Sequence, residues 1–249
     1  ELESHPVAIA VAAAIAETEA TVVEQRAMVE HLTGCEIVEV KPDAGDLTMR
    51  VRTAIERCPD SALEPVDGTQ AAKAASLAGG SIVPGEAPSE KTHVMVVSFH
   101  RGSTAIKAVS LDPPDTPVED IVDTARAAGC DGDALKTLAQ DVKTRVAATA
   151  LRAEALSRAA AQTPMEWSRV SAQVRVGLYH GTGGVAAMDV PLEWPLAGAR
   201  VRVVGLAGLA PAVVAAAAQR VDPGGYDSVA AALRATQVAL EAAGHVPNA

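Results

Sequence analysis

Residues 93–99 (HVMVVSF), 100–104 (HRGST) and 105–111 (AIKAVSL) decide the fold. The first piece is an apolar run of buried-strand length, the second a polar turn around Gly102, and the third a return strand. Together they predict an antiparallel hairpin, 94–97 against 106–111, closed by HRGST. Beyond it, DPPDTP (112–117) ends the return strand, and Thr116 can cap a helix over 117–128 that stops at Gly129. Residues 133–162 read as a long helix with the apolar stripe Leu135, Leu138, Val142, Val146 and Thr149 at helical spacing. Asp141 and Arg145, one turn apart, read as a surface pair on it.

Further along, 173–179 and 185–190 predict a second hairpin around HGTGG (180–184). Residues 201–204 read as a strand, and 211–219 and 229–243 as helices. This order is an α/β pattern with a mixed sheet, because the hairpins make part of the sheet antiparallel. Toward the N-terminus, Ser4 before Pro6 opens a helix that runs to Thr33 and stops at Gly34. EIVEV (36–40) alternates as a strand does, PDAGD (42–46) is a turn, and 47–58 fits either strand or helix. Residues 70–78 form a short Ala-rich helix ended by Gly79 and Gly80. The Pro/Gly/Ser-rich stretch 80–91 (GSIVPGEAPSEK) is the best boundary. It separates an N-terminal helical or αβ segment, 1–80, from a C-terminal lobe, 92–249.

The chain has 249 residues, 49% hydrophobic and 21% charged, which is globular composition. Aromatics are only 2%, so the core must be built from Ala, Val and Leu. Twenty-one basic residues against 31 acidic ones give a formal charge of −10, with no basic cluster, which argues against a nucleic-acid partner. Cys35, Cys58 and Cys130 are scattered, without a C-x-x-C pair. That argues against a disulfide framework or zinc site and fits a reduced, cytoplasmic setting. The apolar run 6–16 is shorter than the roughly 20 residues a spanning helix needs and lacks a basic flank, so neither membrane insertion nor a signal peptide is expected. Gly205, Gly208 and Pro211 break the other apolar run, 201–218, into strand, turn and helix. The start ELESHP, without Met, is that of a processed product or a fragment.

No motif announces a reaction. HGTGG lacks the Lys-Ser/Thr and the helix of a P-loop. No G-x-S-x-G nucleophile elbow occurs. His100, His180, Asp189 and Glu193 have no metal-ligand spacing.

The order of segments from Glu64 to the C-terminus resembles one lobe of the actin-like (ribonuclease H-like) ATPase superfamily. The nearest relative in that likeness is the nucleotide-binding domain of seventy-kilodalton heat-shock chaperones. EPVDGTQAAKAA (64–75) resembles the chaperones' Glu-Pro-x-Ala-Ala-Ala helix, with a short insertion after the Glu-Pro. VMVVSFHRGSTAIKAVSL (94–111) resembles their second phosphate-binding hairpin, and LKTLAQDVKTRVAAT (135–149) their adenosine-contacting helix. VVGLAGLAPAVV (203–214) resembles the adenosine loop, and DPGGYDSVAAALRA (222–235) the helix at the domain's end. The first 60 residues match less well, and no Asp-x-Gly-Thr first phosphate loop is present in them.

The resemblance implies a nucleotide site with ATP or ADP as its ligand. Gly102, Ser103 and Thr104 would offer phosphate contacts from a turn free of Cβ obstruction, Lys143 would contact the nucleotide, and Gly205 and Gly208 would let the backbone approach adenosine. The departures are chemical. The family's hairpin carries an acidic residue for the metal and attacking water; here Ser98, Phe99, His100 and Arg101 supply no carboxylate, so magnesium lacks an oxygen ligand from this side. Leu206 replaces the second glycine of the adenosine pair, Gln140 stands for Glu, and Thr144 for Arg. The expectation is a degenerate chaperone-like domain with little or no ATPase activity and no catalytic or metal residues, acting by holding another protein. The alternatives are an adaptor without nucleotide, for example in a bacterial secretion assembly, and a small-molecule enzyme whose site the sequence hides.

Overall fold

The computed structural model describes residues 19–41, 43–55, 58, 89–100, 103, 105–128, 132–178, 183–196 and 198–245. The expected helices over the first 18 residues and over 70–78, and most of the 80–91 loop, lie outside this set. The described chain is mixed α/β, with five helices and two four-stranded sheets. It divides into two compact units, Glu1–Ile55 with Ser89–Ala147, and Glu56–Pro88 with Ala148–Ala249.

The first unit holds α1 (Glu19–Thr33), β1 (Glu36–Lys41), β2 (Asp46–Ile55), β3 (Ser89–Phe99), β4 (Ile106–Asp112) and α2 (Glu119–Ala128). It also holds the first half of α3 (Gly132–Ala160). Its sheet runs β1-β2-β3-β4, antiparallel throughout. The expected hairpin is present: Met95 pairs with Leu111, Val96 with Ser110 and Val97 with Val109. The ambiguous run 47–58 resolves as strand, because every second side chain from Leu47 to Ile55 turns inward. That face, with Leu47, Met49, Val51, Met95 and Val97 fully buried, meets Leu135, Leu138, Val142 and Val146 of α3 in one cluster. Burying each such side chain contributes about 1.5–3 kcal/mol before entropy is counted. Arg145, expected on the surface beside Asp141, is instead buried, and its guanidinium grips both carboxylate oxygens of Asp120 on α2 at 3.1 and 2.7 Å. The apolar stripe of α3 turns toward the sheet and carries Arg145 with it.

The second unit holds the rest of α3, β5 (Met165–Glu166), β6 (Gln173–Gly177), β7 (Val185–Asp189), β8 (Arg202–Ala207), α4 (Pro211–Ala218) and α5 (Val229–Ala242). Its sheet, β5-β6-β7-β8, is also antiparallel throughout. The expected mixed sheet is therefore two sheets whose described pairings are all antiparallel. β2, ahead of the 80–91 stretch, pairs along its whole length with β3 behind it. Ser228 caps α5 by accepting from the Ala231 amide at 3.0 Å, and Val229, Ala230, Leu233, Ala239 and Leu240 bury its inner face. Edge strands β1 and β8 each carry a bulge, at Val38 and Val204, and both valines are exposed. Bulges of this kind discourage edge-to-edge pairing.

Candidate functional site

Of the six residues singled out in the sequence, Ser103 and Lys143 fall in the first unit and Gly205 and Gly208 in the second, while Gly102 and Thr104 lie outside the described residues. Ser103 closes the β3–β4 turn. Its amide donates to the His100 carbonyl at 2.9 Å, and its hydroxyl accepts from the Ala105 amide at 3.1 Å. His100 in turn donates its amide to the Ala105 carbonyl at 2.9 Å. These polar groups hold the turn's own shape.

Lys143 has a partner that nothing in the sequence suggested. Its ammonium donates to the carbonyls of Thr33 and Gly34 at 3.0 and 2.8 Å, across more than a hundred residues of chain. Those are orphan carbonyls at the end of α1, where a cation complements the helix dipole. Gly34 holds the left-handed conformation, φ +60°, that ends the helix, and a Cβ built there would lie 2.9 Å from the Lys143 Nζ. Cys35 follows, buried. Burial pushes its thiol above the usual cysteine value, while the Lys143 charge and the Thr33 hydroxyl pull the other way.

Gly205 and Gly208 serve different ends. Gly208 has φ +75°, and a Cβ there would strike the Gly183 carbonyl oxygen at 2.2 Å, so the residue is fixed by a backbone crossing. At Gly205 a Cβ would meet only the Ala187 side chain at 3.7 Å. This glycine lies in the floor of an open cavity of about 670 Å³, together with Gly177, Val185, Ala187 and Ala207. The floor is the face of β6–β7–β8 opposite the buried Val174, Val176, Ala186 and Met188. Glu166 and Arg175 stand at its rim, 3.8 Å apart and mostly exposed. The volume suits a small molecule. The lining is mostly apolar, Met165 and Leu206 being its largest apolar side chains, with one charge of each sign.

No protein-family model matches the chain, and neither a curated protein nor a solved structure shows significant similarity to it.

Two buried polar arrangements escaped the sequence reading. His93, 2% exposed on β3, places Nε2 2.9 Å from Asp115 Oδ1, while its Nδ1 has no hydrogen-bond partner. Arg152, 1% exposed, donates to the carbonyls of Ser168, Arg169 and Ser171 at 2.6 to 3.3 Å and so pins the β5–β6 connection. Burial holds its pKa below the usual arginine value, and the Asp189 charge opposes this. Neither borders the cavity. Among the described residues no group of three or more His, Cys, Asp or Glu side chains could hold a metal ion, and no helix is long and apolar enough to cross a membrane.

One surface stands out. Residues 203–218 (VVGLAGLAPAVVAAAA) carry no charge, yet only Ala217 among them is buried, and Val204 is 58% exposed. The larger side chains of the run, Val203, Leu206, Leu209, Val213 and Val214, are half-buried, and Val204 is its exposed large one.

Proposed function

We propose that the chain is a degenerate, chaperone-like nucleotide-binding domain that does not hydrolyse ATP and works by holding a protein partner. The observation offered for the partner is the uncharged run 203–218, half of whose residues are exposed, Val204 among them. Removing such surface from water is the dominant favourable term in protein association. The segment resemblance, with Gly205 in the floor of a cavity, supports ATP or ADP as ligand.

A second reading, an adaptor that needs no nucleotide, is favoured by Lys143. Its ammonium already serves the Thr33 and Gly34 carbonyls, and a phosphate would have to compete with them. Thermal unfolding with ATP and with ADP, each with and without magnesium, separates the two. Ligand at a hundredfold its Kd should stabilise the first form by about 2.7 kcal/mol. An unmoved transition assigns the adaptor reading. Steady turnover of ATP overturns both.

A further inference from the structure

We draw no further inference here: the strongest candidate, the open cavity over Gly205 on the outer face of the β5–β8 sheet with the apolar run 203–218 beside it in sequence, belongs to the surface already described, its rim charges Glu166 and Arg175 neutralise one another, and nothing in the structure shows what covers it.

Discussion

Two buried threonines show how much a single hydroxyl depends on what it meets. Thr53 on β2 is 6% exposed, and its Oγ1 has no hydrogen-bond partner. Thr33, also buried, donates its hydroxyl to the Val29 carbonyl at 2.7 Å and accepts from the Cys35 amide at 3.2 Å. The same near-isosteric change should therefore have opposite signs. Thr53→Val removes a desolvated group that gains nothing and should stabilise by about 1 kcal/mol, whereas Thr33→Val should cost about 1 kcal/mol. Urea titration checks both: the midpoint should rise for the first and fall for the second with the slope unchanged. Lys143→Ala strips the cation from the end of α1 and leaves the Thr33 and Gly34 carbonyls to water. Because the ammonium is partly exposed, the expected loss is about 1 kcal/mol rather than the larger value of a buried charged bond. An unchanged urea midpoint would remove Lys143 from the structural role given to it here.

Between elements, two acid–base pairs join what the hydrophobic cluster brings together. Arg145 on α3 holds Asp120 on α2, and His93 on β3 holds Asp115 in the β4–α2 connection. The Arg145 hydrogen bonds keep the Asp120 carboxyl below the usual aspartate value, against opposition from burial. For Asp115, burial is the largest influence and pulls upward, but the His93 hydrogen bond and charge, the Thr116 hydroxyl and Lys91 together outweigh it. Both folded pKa values thus lie below the ordinary value of 3.8. Their stabilisation is complete above that pH and is lost as pH falls through the folded values. Urea titrations across the acid range should show stability falling at low pH, and Asp120→Asn should flatten the fall; an unaltered acid limb would mean the pair is not titrating. None of these pairings was legible in the sequence. Most strands and helices were, because the apolar runs around HRGST and the three-and-four spacing from Leu135 to Val146 are local signals, whereas 47–58 fitted either strand or helix until its burial alternation settled it. Sheet membership was not: hairpin patterns give direction to neighbours, and nothing local says that β4 ends one sheet and β5 begins another. The site suffered the same limit. Lys143 was visible as a lysine on a helix, but its carbonyl partners lie 110 and 109 residues away. Gly205 was visible as a glycine, but its cavity is assembled from β6, β7 and β8.

At the scale of the whole chain, charge and missing chemistry bear on hydrolysis together. The molecule carries −10, so a polyanionic nucleotide approaches against the net field, and added salt should ease rather than weaken its approach. An actin-like site overcomes that repulsion with a metal held by carboxylates and with phosphate loops from both lobes. Here Ser98, Phe99, His100 and Arg101 offer no carboxylate, and Ser103 already commits its amide to the His100 carbonyl in closing its own turn. Preorganised electrostatic stabilisation is usually the largest contribution to catalysis, and removal of one donor alone costs roughly 100- to 1,000-fold. On the proposed reading, with no carboxylate in the hairpin's turn, the expected phosphate release from ATP is indistinguishable from buffer, with or without magnesium. Binding is a separate matter, because contacts that hold a ground state need not stabilise a transition state. The measurement is steady-state phosphate release by purified protein, beside Lys143→Ala assayed well below that variant's melting temperature. Turnover on the order of one per minute, slow even beside ordinary enzymes, would overturn the proposal, and its loss in Lys143→Ala would put the ammonium in the reaction. Together they would mean that the ammonium leaves the Thr33 and Gly34 carbonyls to serve a phosphate, and that water is activated by a group other than the family's hairpin carboxylate.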